Sequence, residues 1–136
     1  ALQRAQDGRV GLEARFHQDL ANPEGVADQY DNIGYHTSTL GRKAEAIASF
    51  RRAMELGDRD PELLNNLGVL LFETGDAAGA ERCLRAAVEG KMDYAEARLN
   101  LATVLARSGR TDEARQHAGV VLETVPDHPE ALALAR

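Results

Sequence analysis

Between Pro61 and Gly90 the apolar residues recur at helical spacing. Leu64, Leu67, Gly68 and Leu71 fall at i, i+3, i+4 and i+7, and Ala80, Leu84, Ala87 and Val88 begin a second stripe. The pattern predicts two amphipathic helices, each with one face to bury. Asp60 is placed to cap the first, and Pro61 stands in its first turn, where a missing N–H costs nothing. Gly75 ends it, because glycine enters the left-handed conformation after a helix without strain. The second helix is expected to fray near Glu89–Gly90. Gly68 and Ala80 are small enough to let the two helices approach closely. Tyr30, Ile33 and Gly34 with Ala46, Phe50, Ala53 and Met54 form an equivalent pair of stripes. Leu101, Ala102 and Leu105 with Ala114, Ala118, Val121 and Leu122 form a third.

These pairs are one unit repeated at an offset of 34 residues. Asn32, Asn66 and Asn100 share a column; so do Gly41, Gly75 and Gly109, and Ala46, Ala80 and Ala114. Ile33, Leu67 and Leu101 form an apolar column, as do Met54, Val88 and Leu122. Units therefore run 27–60, 61–94 and 95–128 without insertion or deletion. Segment 1–26 reads as a partial or degenerate helix pair, since Leu12, Phe16 and Leu20 precede Ala46, Phe50 and Met54 by the same period. Asn22-Pro23-Glu24 reads as a cap and helix start. Residues 129–136 repeat the opening of a unit with Pro129-Glu130-Ala131-Leu132. They form either a short terminal helix that packs as a cap or a truncated unit with Leu132 and Leu134 uncovered.

Composition narrows the function. Apolar residues make up 43% of the 136-residue chain and there is no Trp, which suits packed helices with an Ala, Leu and Val core. A net charge of −6 argues against sequence-independent nucleic-acid binding, which needs clustered cations. No apolar run approaches the roughly 20 residues of a membrane helix. The lone Cys83 excludes an intramolecular disulfide and a four-thiolate metal site. Basic charge is 14 Arg against two Lys, a usage bias that points to a bacterial source. No signal-peptide pattern follows Ala1, so the expectation is a cytoplasmic chain, or a periplasmic one whose leader was removed.

Catalysis has no support in the motifs. His17, His36, His117 and His128 show no i, i+4 pairing and no carboxylate at metal-ligand spacing. No phosphate loop, nucleophile elbow or dinucleotide fingerprint is present. Cys83, between Arg82 and Leu84, has no histidine placed to activate it and reads as a structural thiol. The expectation is a chain that is not an enzyme and takes no cofactor or metal.

Asn32-Ile33-Gly34, Asn66-Leu67-Gly68 and Asn100-Leu101-Ala102, each followed by Gly, Ala, a large residue and Ala, resemble tetratricopeptide repeats. Thr37 departs from the family pattern, which has a large apolar residue there; Arg98 stands where Trp or Tyr is common; and Pro126 alone matches the late-repeat proline. The resemblance implies an all-α fold, a right-handed α-solenoid of antiparallel helix pairs whose concave groove binds protein segments. The groove positions it implies are Asp28, Asp31, Asn32 and Tyr35 in the first unit. In the second they are Glu62, Asn65, Asn66, Val69, Phe72 and Glu73, and in the third Glu96, Leu99, Asn100, Thr103 and Arg107.

The columns suggest how such a groove works. An Asn amide offers donors and acceptors together, so the Asn32, Asn66 and Asn100 ladder either holds a peptide backbone or bonds a neighbouring helix. The acids Asp28, Glu62 and Glu96 either favour the helix macrodipole or select a basic to neutral ligand. Tyr35, Val69, Phe72 and Leu99 are expected as an apolar floor. The family's two-carboxylate clamp needs Lys, Asn, Asn, Lys and Arg, where this chain has Asp31, Tyr35, Asn66, Glu96 and Asn100, so that function is rejected. The expectation is an interaction module for a protein or peptide partner. The alternative is a scaffold that self-assembles into homo-oligomers through its ends or through a groove filled by a neighbouring chain.

Overall fold

The residues expected to start and stop helices do so. In a computed structural model, which describes residues 22–136, Asn22 accepts from the Gly25 N–H, Asp60 from Glu62 and Asp76 from Gly79. Gly41, Gly75 and Gly109 take φ of 77°, 97° and 84° at the equivalent turn of each pair. A Cβ there would be strained, and the three-residue turn between the helices would no longer reverse the chain cleanly. The helix expected within 9–21 lies outside the described residues.

Seven helices result, with no strand among the described residues: α1 (Pro23–Thr39), α2 (Lys43–Glu55), α3 (Pro61–Glu73), α4 (Ala77–Gly90), α5 (Ala95–Arg107), α6 (Thr111–Thr124) and α7 (Pro129–Ala135). The chain divides into two compact units, up to Asp58 and from Arg59 onward. In the first, α1 packs on α2. Gly34 makes that possible, since a Cβ at this position would lie 2.7 Å from the Phe50 ring. Phe50, Ala46 and Ala53 are fully buried beneath it. Ile33, expected in the core with Leu67 and Leu101, is instead 51% exposed, while those two are at 2% and 1%. Its place on α1 is at the edge of the arc of buried residues set by Val26, Ala27, Gly34 and Thr37. Thr37 fits its buried position by donating its hydroxyl proton to the Ile33 carbonyl.

In the second unit each helix packs on the next, and α3 also touches α5, as α5 touches α7. First helices of successive pairs therefore stand side by side. Gly68 lets α3 and α4 meet: a Cβ there would come within 2.7 Å of Leu84. Leu67, Leu84, Leu101 and Leu105 lie at 2% exposure or less, each stabilising by about 1.5–3 kcal/mol relative to water. Helix α4 runs to Gly90, and the Lys91 N–H closes it by bonding to the Ala87 carbonyl.

Charged contacts tie α4 to α6 on the surface. Arg85 donates to Glu81 at 2.8 Å and Glu113 at 2.9 Å, while Arg110 reaches the same two carboxylates at 2.6 and 2.7 Å. The Arg85 hydrogen bond is the main reason that both carboxyls sit below their usual range. Arg98 fills its departure from the family pattern differently. It is 8% exposed and donates to the Met92 carbonyl at 3.0 Å and to His117 Nδ1 at 3.2 Å.

Helix α7 seats Ala131, fully buried, and Leu134 against Leu99 and Val121, while Leu132 remains 44% exposed. It covers the end of the second unit with one face and leaves an apolar residue on the other.

Candidate functional site

A pocket of about 400 Å³ opens between α3 and α5 of the second unit. Val69, Phe72 and Glu73 line it from α3, and Asn100, Thr103, Val104 and Arg107 from α5, with Leu84 of α4 also lining it. Six of these residues were expected from the repeat columns. Leu84, read as part of an apolar stripe, and Val104, which the columns did not single out, were not; each is almost fully buried yet borders the opening. A helical ridge of Val69, Phe72 and Glu73 at i, i+3 and i+4 meets one of Asn100, Thr103, Val104 and Arg107 at the same spacing.

Polar groups in this wall are held in place. Asn100 Nδ2 donates to Asn65 Oδ1 at 2.9 Å, joining α5 to α3. Asn65 also shares a hydrogen bond with the Tyr94 phenol, whose pKa is raised by burial first and then by Glu96 and Glu62. Thr103 gives its hydroxyl proton to the Leu99 carbonyl at 3.0 Å, which leaves its oxygen as an acceptor. The Arg107 guanidinium lies over the Phe72 ring, 5.6 Å from its centroid, a cation–π contact at the rim.

Two expected groove residues are elsewhere. Leu99 is 3% exposed and packs with Val121 and Ala131, because α7 covers that side of α5. Asn65 is 1% exposed and bonds within the fold. Neither forms an open surface, so both leave the floor and rim proposed for them. Asn66 is half-buried on α3, and Glu62 and Glu96 are exposed in the first turns of α3 and α5. In the first unit, Asp28 and Asn32 are exposed on α1, Asp31 is half-buried, and Tyr35 is 58% exposed. Among the described residues, no group of three or more His, Cys, Asp or Glu could hold a metal ion. No helix described is long and apolar enough to cross a membrane.

The tetratricopeptide repeat family model matches residues 38–93 and 67–129, together more than half of the chain. The chain belongs to the tetratricopeptide repeat family. Its fold is the all-α solenoid fold of that family, a protein-interaction module. Among solved structures, YrrB, described as a TPR protein with an unusual peptide-binding site, is 26% identical with a TM-score of 0.78, over 98% of this chain and 69% of that one. The first TPR of Spaghetti (RPAP3), bound to an HSP90 peptide SRMEEVD, is 24% identical with a TM-score of 0.76, over 83% of this chain and 90% of that one. The second TPR domain of human RPAP3, in complex with the HSP70 peptide SGPTIEEVD, is 20% identical with a TM-score of 0.75, over 84% and 95%. No curated protein matches the tetratricopeptide chain by sequence.

Proposed function

We propose that this tetratricopeptide domain is a non-enzymatic adaptor that binds a segment of a partner protein in the groove between α3 and α5. The single observation that carries the reading is the open pocket whose wall combines apolar Val69, Phe72 and Val104 with the polar Asn100, Thr103 and Arg107. Exposed apolar surface framed by fixed polar groups is what a binding site offers and a folded surface otherwise avoids. Asn66 and Asn100 would hold the backbone of the segment. With one N–H committed to Asn65, the Asn100 amide keeps a carbonyl and one N–H, enough for one peptide unit. Asp28, Asp31, Asn32 and Tyr35 would give α1 a comparable face in the first unit. The two neighbours bound to peptides, and YrrB with its described peptide-binding site, support a peptide ligand.

A basic to neutral segment fits the exposed acids Glu62, Glu73 and Glu96 better than an acidic tail does. The two-carboxylate clamp therefore stays outside this reading, although neighbours of the same fold hold EEVD-ending peptides. Peptide-array binding tests the proposal. Phe72→Ala with Asn66→Ala should abolish the signal, and Arg82→Ala, on exposed α4 surface, should leave it unchanged. Binding that survives the first pair, or is lost with the second, places the partner elsewhere. A second reading, self-association through the end helix, is favoured by the exposure of Leu132.

A further inference from the structure

We propose that the pocket between α3 and α5 receives one aromatic side chain that carries a neutral hydrogen-bond donor, the indole of tryptophan or the phenol of tyrosine. The inference rests on the adaptor reading and deepens it by naming the anchor of the bound segment. Size admits it, since about 400 Å³ exceeds the volume of a single indole. Val69 and Phe72 supply apolar wall, backed by the almost fully buried Leu84 and Val104, and against it an aromatic ring buries more area than any aliphatic side chain.

The polar atoms choose the tip of the ring. Thr103 has spent its proton on the Leu99 carbonyl, so toward the pocket its hydroxyl can only accept. Asn100 has spent one N–H on Asn65 and retains its carbonyl oxygen. Burying a phenylalanine against these acceptors would strip their water and return nothing, whereas an indole N–H or phenol O–H replaces it. Charge selects further. Glu73 and Arg107 stand on the same rim with opposite charges, so an ammonium or a carboxylate is attracted by one and repelled by the other and gains nothing net for its lost hydration. A neutral donor meets neither penalty.

Small probes added to the intact chain and followed by 1H–15N NMR test this: indole, phenol, toluene, butylammonium and butyrate. Indole and phenol should shift the amides around Val69–Glu73 and Thr103–Arg107 in a saturable way, with toluene about fivefold weaker. The two ions should give no saturable shift. Thr103→Val keeps the shape and removes the acceptor, so phenol should bind it no better than toluene does; Asn100→Leu provides a second variant. Equal binding of phenol and toluene to the parent chain, or an ion binding as well as phenol, overturns the proposal. Selection from a displayed library of random peptides separates this failure from that of the adaptor reading. Enriched peptides without tryptophan or tyrosine overturn the anchor alone, whereas no enriched peptide and no probe shift overturn both.

Discussion

Asn100 and Asn65 are joined across two helices by a single amide–amide hydrogen bond of 2.9 Å, and Asn65 is the buried member of the pair. The bond fixes the distance between the two walls of the pocket from inside the fold. Replacing Asn65 by Leu keeps the branched shape and strands the Asn100 N–H and the Tyr94 phenol, both of which are half-buried and find water in part. The expected loss is about 1 kcal/mol in urea unfolding. The double variant Asn65→Leu/Asn100→Leu removes both partners and should recover most of it. If the double variant is as unstable as the sum of the singles, the bond is not what holds these side chains.

Glycines 68 and 119 should respond oppositely to the same substitution. Gly68→Ala drives a methyl group to 2.7 Å from Leu84 Cγ and 3.3 Å from the Ala80 carbonyl oxygen. The helices must part, at about 1–3 kcal/mol. Gly119 lies inside α6 with nothing within 4 Å of an added Cβ. Alanine there should stabilise by about 0.5–1 kcal/mol through the helix backbone alone. Thermal unfolding of the two variants measures both signs.

His117 makes stability depend on pH. Burial first, then the positive charges of Arg98 and Arg85, hold its pKa below the usual 6.5, with Glu113 opposing. Its folded pKa lies under its unfolded one, so the unfolded chain binds the extra proton more readily. Stability is then complete above about pH 6.5 and falls as the pH drops below that value. Protonation also turns the Nδ1 acceptor of Arg98 into a donor. Chemical unfolding from pH 7.5 to 5.5 should show the decline, and His117→Gln should flatten it. A profile unchanged by that substitution assigns the decline to other groups.

A second acid window belongs to Glu81 and Glu113. Their carboxyl pKa values lie below 4.5, chiefly through the hydrogen bond from Arg85. The stabilisation is present above that value and is lost as the pH falls through the lowered folded pKa. Arg85→Gln should remove most of this dependence below pH 4.5 while changing stability at neutral pH by about 1 kcal/mol or less, since the pairs are partly exposed.

Light scattering over a dilution series decides the self-association reading. Leu132→Glu places a charge on the exposed face of α7. If end contacts build oligomers, the parent mass should rise with concentration and that of the variant should not. A parent that stays monomeric at every concentration leaves the adaptor alone.

Local and global signals agree wherever a residue's partner lies within its own helix pair. Asp60 as a cap, the small Gly68 where two helices approach, and the three turn glycines could all be read from spacing, because each is set within its own helix pair. Leu99 could not. Its column holds Asp31 and Asn65 in the other units, and what buries it is α7, a helix that follows a full pair later. Asn65 was hidden for the same reason, its partner being 35 residues on. Arg98 and His117 stand out in the sequence only as a missing aromatic and an isolated histidine; their contact joins two helices of one pair but has no counterpart in the other repeats.

The order in which helices pack has a consequence for timescales of opening. In the second unit α7 is seven residues long with Ala131 as its one buried residue, whereas α4 and α5 each pack on helices before and after them. Local opening costs least where a short helix buries little apolar surface. Amides of α7 should exchange first, through fluctuations that leave α4 and α5 closed. Helix α7 can therefore open repeatedly while the wall carrying Asn100 and Thr103 keeps its shape.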